Sequence, residues 1–303
     1  MDNASRKMFI DICNELGIKC TLLSKDWVFM LEKDGITRFF VGTKSPLNDY
    51  SLGRILDDKY ALYCVLKEMG IPVVEYNIVY REDNHDSYVG NCNSFEYVKE
   101  YFYNHNQDIV LKPNRGTCGI DVYRVRDINY LDEIYHSLTS KYYSISMSPF
   151  YHIKNEYRFI VLDGEVRSSY MKHKPIVYGD GIHSIRELLM EFNSDYFNDL
   201  LNDSIYDRIL DINEEYEYNW KFNLALGSIS TKIDDSELYN KLESIALDVS
   251  NKIGLRFGSV DIIETEDSEY LIIEMNSGVM IYEKSIPIYK EVLLKMFSED
   301  MWN

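Results

Sequence analysis

The segment Tyr270-Leu-Ile-Ile-Glu-Met-Asn-Ser-Gly278 constrains this chain most, because it sets Glu274 and Asn276 two residues apart in an apolar run. Side chains alternate faces along a strand, so Leu271, Ile273 and Met275 are expected to bury on one side while Glu274 and Asn276 point together to the other. Upstream, Phe257-Gly-Ser-Val-Asp-Ile-Ile263 reads as a second strand with Asp261 in its middle. The acidic turn 264–269 returns the chain antiparallel beside it, which makes Asp261 and Glu274 expected neighbours. At an effective dielectric near 20, two carboxylates ~4 Å apart repel by roughly 4 kcal/mol, so such a pair needs a proton or a divalent cation between them. With the amide oxygen of Asn276 as third ligand, the donor set suits Mg2+.

The 303 residues, 46% hydrophobic and 27% charged, are ordinary for a globular protein and sufficient for more than one core. No apolar run approaches the ~20 residues of a membrane helix, and the N-terminus leads into no signal-peptide core, so a cytoplasmic protein is expected. Cys13, Cys20, Cys64, Cys92 and Cys118 form no C-x-x-C pair and no zinc spacing with histidine, and read as reduced. A formal charge of −18 argues against general binding to nucleic acid or anionic membranes, since phosphate contacts need clustered Lys and Arg. Any phosphate site must therefore be local. A homodimer is the default expectation for assembly.

Along the chain, a helix to Gly17 and a hairpin of 27–32 and 37–41 turning at Asp34-Gly35 make a small α/β unit. A helix from Asp58 stops at Gly70, and an extended segment follows to Tyr80. The polar stretch 81–94 reads as a domain boundary. Then come a helix at 95–103, strands at 108–112 and 121–125 around a Gly-containing loop, and a helix at 129–139. The second half opens with a hairpin of 156–162 and 166–171 turning at Asp163-Gly164. Ser184-Ile-Arg-Glu187 reads as a capping box. Aspartates at 195, 199, 203, 207 and 211, with Phe197, Leu201, Ile205 and Ile209 opposite, predict an amphipathic helix with a solvated acidic stripe. A helix at 236–253 delivers the chain to the Asp261 strand.

Lys112-Pro-Asn-Arg-Gly-Thr-Cys-Gly-Ile-Asp121 places a lysine at the end of an apolar strand before a Gly-x-x-Gly loop, where backbone N–H groups can wrap a phosphate. It is not a Walker A loop, because no Gly-Lys-Ser/Thr follows and no helix begins there. Lys59 opens the helix after Asp58 and, alone, reads equally as a solvent-facing charge. The histidines form no relay with serine or cysteine, which disfavours hydrolase chemistry, and Cys118 has no evident basic partner to lower its pKa.

Taken in order, Asp58-Lys59, Leu111-Lys112-Pro113 with its Gly loop, Glu156-Tyr-Arg-Phe, Asp261 and Glu274-Met-Asn resemble the ATP-grasp superfamily. Glu156-Tyr-Arg-Phe-Ile-Val-Leu-Asp-Gly164 and Gly179-Asp-Gly-Ile-His-Ser-Ile-Arg-Glu-Leu188 look most like the ligase domains of cyanophycin synthetase and the bifunctional bacterial glutathione synthetases. The resemblance implies an α+β ATP-grasp fold: an N-terminal α/β domain (1–80), a small α+β subdomain (81–150) and a C-terminal antiparallel-sheet subdomain (151–303), with nucleotide between the last two. It also implies ATP and Mg2+ or Mn2+ as cofactors. Lys59 and Lys112 match the nucleotide-phosphate lysines; Gly116, Thr117 and Gly119 match the loop over the phosphates. Met147 and Phe150 fall in the hinge beside adenine, and Glu156 matches the ribose acid. Asp261, Glu274 and Asn276 match the metal ligands. Arg158 and Lys172 are placed to hold a reacting acyl phosphate, with Lys221 and Asn223 second in rank.

Two departures stand out. The hinge reads Ser146-Met-Ser-Pro-Phe150 without the usual glutamate, and Ser277-Gly-Val-Met280 replaces the usual Pro-Gly turn after Asn276. The implied activity is ATP-dependent carboxylate–amine ligation through an acyl phosphate, on an amino acid or small peptide. The alternatives are a kinase making a stable phosphate ester and a nucleotide-binding interaction protein without turnover.

Overall fold

The computed structural model describes residues 2–81, 94–117, 119–192, 204–222, 224 and 227–298. Helix α1 (Asn3–Glu15) starts at Asp2, whose carboxylate accepts from the Ser5 N–H, and packs on an antiparallel sheet of β1 (Lys19–Leu23), β2 (Val28–Lys33) and β3 (Ile36–Val41). The expected hairpin turn is present: Asp34 and Gly35 sit at φ 50° and 79°, the paired left-handed conformation that suits a two-residue loop. A helix not foreseen, α2 (Tyr50–Leu56), precedes α3 (Lys59–Glu68), which Asp58 caps through the Ala61 N–H at 3.0 Å.

The next unit comprises β4 (Asn77–Tyr80), α4 (Phe95–Asn104), β5 (Ile109–Pro113), β6 (Tyr123–Val125), α5 (Ile128–Lys141) and β7 (Ser144–Pro149), with strand order β4-β7-β5-β6, all antiparallel. Helices α4 and α5 cover one face, where Val98, Phe102, Leu131 and Tyr135 meet Val79, Leu111, Ile145 and Met147. Segment 144–149, which takes in most of the expected hinge at 146–150, is one of the two inner strands of this sheet. Its signal was present in the sequence, since Ser144, Ser146 and Ser148 alternate with Ile145 and Met147.

The remainder carries β8 (Ile153–Leu162), β9 (Glu165–Lys172), β10 (Ile176–Tyr178), α6 (Ile185–Phe192), β11 (Glu215–Glu217), β12 (Ser230–Thr231), α7 (Ser236–Ile253), β13 (Phe257–Thr265), β14 (Tyr270–Asn276) and α8 (Ile286–Ser298). Five of these strands form an antiparallel sheet, β12-β9-β8-β13-β14. Leu242, Ala246 and Val249 of α7 cover one face, packing on Tyr157, Phe159, Val260, Ile262, Ile272 and Met275. The capping box of α6 forms as expected, Ser184 N–H to the Glu187 carboxylate at 2.8 Å. Among the described residues no helix is long and apolar enough to cross a membrane.

The acidic helix lies partly outside the described residues, which omit 193–203. Where the chain is described again it does not continue that helix. Residues Ser204–Asp207 make one 3-10 turn, and Ile209 bridges Ser184. Leu210 is buried with Val177, Ile185 and Leu189, while Ile205 and Ile209, assigned to the inner face by periodicity, are exposed.

The N-terminal unit shares its cores with the C-terminal half. Phe9, Ile12, Phe29 and Phe40 pack with Tyr289, Val292 and Met296 of α8, and Leu52, Leu62 and Leu66 join the core beneath β13 and β14. Asn48 pins the two halves: its side chain donates to Phe257 O at 2.6 Å and accepts from Arg256 N and Phe257 N at 3.0 and 3.1 Å.

Candidate active site

The site is built on the register of β8, β13 and β14. Asp261 lies opposite Glu274 on one side and Arg158 on the other, while Glu156 lies opposite Lys172 of β9. Residues directly opposite share a face, so these five side chains emerge together. Asp261 pairs with Glu274, but Ile262 pairs with Ile272, so Ile273 is an extra residue in β14. This bulge corrects the expected alternation. Ile272, rather than Leu271 or Ile273, buries with Met275 against α7, and Leu271 and Ile273 join the partly buried cluster on the site face.

Charge is tightly organised there. Arg158 holds Asp261 in a fork, Nε to Oδ1 at 2.7 Å and an Nη to Oδ2 at 2.8 Å. The Lys172 ammonium donates to the same Oδ1 at 2.9 Å and to Glu156. Asp261 is 1% exposed. Burial alone would raise its pKa, but Arg158 and Lys172 outweigh burial and hold it low. Glu156 goes the other way, with burial raising its pKa against the pull of Lys172. Arg158 and Lys172 would be depressed by burial; the carboxylates overcome this and raise both.

Two further cations converge from the other side. Lys59, at the start of α3, donates to Gly116 O at 2.9 Å and lies 3.7 Å from Glu274. Burial depresses its pKa, and the nearby Lys112 charge adds to the effect. Lys112 of β5 is pushed down to about 8 by burial, its nearest compensation coming from Glu274 and Glu156. Its ammonium donates to the Tyr76 hydroxyl at 2.7 Å. The loop after Lys112 is tied to α3, because Asn114 accepts from Lys59 N through its carbonyl and from Tyr60 N through its side chain at 3.1 Å. Gly119 takes φ 68°, a left-handed conformation that glycine adopts without strain. Cys118 lies outside the described residues, and Thr117 beside it is exposed.

The cleft face of the small sheet differs from expectation. Ser146 stands opposite Lys112, so strand parity puts Ser146 and Ser148 on the lysine's face and turns Met147 away. The Met147 side chain is fully buried beneath α4 and α5, so at the expected adenine site this residue could offer only its backbone groups. Phe150 sits in an aromatic cluster, its ring 3.4 Å from the Arg124 guanidinium and 5.4 Å from Trp220. Lys221 lies 5.6 Å from the Trp220 ring, with its pKa lowered by burial. Asn223 lies outside the described residues. Residues that sequence reasoning missed are Tyr76, Asn114 and Ser146. Ser146 Oγ and Asn114 Nδ2 are buried with no hydrogen-bond partner among the described residues.

The loop after Asn276 is anchored rather than open. Gly278 bridges Lys44, and a Cβ there would lie 2.7 Å from Thr43 O, so the site's end is sealed by the N-terminal unit. Val279 and Ile281 then enter the core.

The donor set fits a hard divalent cation, with an unequal division of labour. A carboxylate offers about four lone-pair sites, and Arg158 and Lys172 take three of those on Asp261. Glu274 is about a third exposed, its side chain at 32%. Glu274 and Asn276 are the open donors, and Asp261 has one site left on Oδ2. Among the described residues no three His, Cys, Asp or Glu side chains gather to hold a metal unaided.

No protein-family model and no curated protein matches the sequence. Solved structures do. The bifunctional glutathione synthetase from Pasteurella multocida superposes with a TM-score of 0.55 at 17% identity, covering 97% of this chain. The chain has the ATP-grasp fold. A D-alanine–D-alanine ligase from Bacillus anthracis matches at TM-score 0.53 and 14% identity over 80% of this chain. A D-cycloserine synthetase gives TM-score 0.50 and 14% identity over 82% of this chain and 73% of its own. The chain spans only 43% of that glutathione synthetase and 66% of that D-alanine–D-alanine ligase. At these identities the likeness is one of ATP-grasp fold, with its α+β architecture and antiparallel sheets.

Proposed function

We propose that this chain is an ATP-dependent carboxylate–amine ligase that joins an acid to an amine through an acyl phosphate, releasing ADP and phosphate. One observation carries the reading. In a chain of net charge −18, Lys172, which is buried, and Lys59, Lys112 and Arg158, which are partly buried, gather around three carboxylates (Glu156, Asp261, Glu274), while the neighbouring Asp58 is paired with Arg115. Burying excess positive charge is costly unless an anion arrives to meet it. A polyphosphate supplies that anion.

In this reading Lys59 and Lys112 hold the nucleotide's phosphate oxygens, and Gly116, Thr117 and Gly119 close over them. A substrate carboxylate oxygen attacks the γ-phosphorus and the bond to ADP breaks. The amine then attacks the acyl carbon, phosphate leaves, and the ammonium proton passes to solvent. Arg158 spends two of its five N–H groups on Asp261 and keeps three to hold the acyl phosphate, with Lys172 behind it. Glu274, Asn276 and the remaining site of Asp261 would hold Mg2+, which when bound neutralises charge on the phosphate oxygens. Lys221, whose charge is felt by Asp121 just after the phosphate loop, and Asn223, by its sequence resemblance alone, are second in rank. The substrates are small carboxylates and amines or peptides rather than nucleic acid. A reducing, cytoplasmic setting suits the free thiols of Cys13, Cys20 and Cys64.

The test is ADP release from MgATP with pooled carboxylic acids and amines, followed by product mass. A ligase needs both pools. ADP released with one hydroxyl-bearing substrate and a stable phosphate ester would make it a kinase, and nucleotide binding without ADP would make it a binding protein. Glu274→Ala should abolish ADP release while leaving the thermal midpoint within about 2 °C; unchanged turnover would remove the metal role.

A further inference from the structure

Tyr76 lies between α3 and β4, 2% exposed, and none of the sequence motifs includes it. Its hydroxyl is where two subdomains meet through one atom. It accepts from the Lys112 ammonium of β5 at 2.7 Å and donates to the carbonyl of Ile273 at 3.3 Å. Ile273 is the bulged residue of β14, immediately before Glu274. The chain around Tyr76 reinforces the connection: Val74 N–H donates to Ile272 O at 2.9 Å and Ile272 N–H to Pro72 O at 3.0 Å, adding a short parallel partner to the edge of the five-stranded sheet.

We propose that Tyr76 is a positioning residue that fixes the Lys112 ammonium against the Glu274 strand, so that the phosphate-binding and metal-binding ends of the site keep one spacing. This rests on the nucleotide reading of Lys112 given above. A lysine side chain has four rotatable bonds, and one buried without an oxygen acceptor would settle wherever its charge is best compensated. The Tyr76 hydroxyl supplies a single acceptor in a fixed place. Burial pushes the Tyr76 pKa up, so the hydroxyl keeps its proton and can donate to Ile273 while accepting from Lys112. The rest of the ring packs with Val74 and Ile263, so removing the oxygen leaves the apolar contacts intact.

The test is a double-mutant cycle read by calorimetric binding of Mg-AMPPNP to wild type, Tyr76→Phe, Lys112→Met and the double variant. Tyr76→Phe is expected to weaken binding roughly tenfold, the scale of one hydrogen bond to a charged group. In the Lys112→Met background the same substitution should change binding by less than about twofold, because the partner it positions is gone. A hydroxyl with a purely structural role would lower the thermal midpoint in both backgrounds and leave affinity unchanged in both. Equal binding by wild type and Tyr76→Phe, or the same tenfold loss with and without Lys112, overturns the inference. Absence of any binding by wild type overturns the nucleotide reading itself, and this inference with it.

Discussion

Replacing Lys172 with methionine tests the charge network at its centre. Lys172 is 5% exposed, and its ammonium bridges Asp261, at 2.9 Å, and Glu156. Methionine fills similar space but takes from Glu156 its one ammonium hydrogen bond, leaving only the more distant Lys112 and Arg158 charges, whereas Asp261 keeps its Arg158 fork. Breaking a buried pair from one side costs about 3–5 kcal/mol. With an unfolding entropy of about 2.1 cal/mol/K per residue, that lowers the thermal midpoint of a 303-residue chain by roughly 5–8 °C. The penalty must also depend on pH. Burial already raises the Glu156 pKa in the folded state, and losing Lys172 raises it further. A group raised on folding favours the folded state below its unfolded pKa and loses that contribution as pH rises through the folded value. Losing Lys172 also removes one of the two cations that hold Asp261 low, but its Arg158 fork remains, so the wild type–variant gap should widen from pH 5.5 to 7.5 chiefly through Glu156. Urea unfolding followed by circular dichroism at both pH values measures it. A loss below about 1 kcal/mol, or a loss identical at the two pH values, would refute the view that Lys172 neutralises Glu156.

Other perturbations read other parts of the site. Gly258→Ala sets a Cβ 2.1 Å from Asn276 O, a backbone clash that should cost more than about 3 kcal/mol in urea unfolding and displace Asn276 from its place beside Glu274. Asn48→Ala removes four hydrogen bonds from the N-terminal unit to Arg256, Phe257 and Ser277, and a loss of about 1–3 kcal/mol is expected in the same assay. Because the Lys112 pKa is about 8, Mg-AMPPNP affinity measured by calorimetry should fall as pH rises through that value, since only the ammonium attracts phosphate; a flat profile to pH 9.5 would count against Lys112 as the phosphate contact.

How much of this was legible in the sequence depends on which interactions are local. Asp34-Gly35 and Asp163-Gly164 announce hairpins because left-handed turn residues are a property of two adjacent positions. The capping box at Ser184 and the stop of α7 at Gly254, φ 76°, are equally local. The bulge at Ile273 was not legible, since Leu271, Ile272 and Ile273 are all apolar and any of them satisfies the core; the choice is made by register with β13. The acidic stripe failed for a related reason: periodicity favoured Ile205 and Ile209, but a strand-like bridge to Ser184 turned Leu210 inward instead. The site divides along the same line. Lys59, Lys112, Glu156 and Glu274 carry a recognisable order along the chain, yet nothing in that order says that Arg158 grips Asp261 or that Tyr76 receives Lys112. Both contacts join elements brought together only by the finished sheets. That is also why they matter energetically: each gives a partner to a charge that the fold withdraws wholly or partly from water.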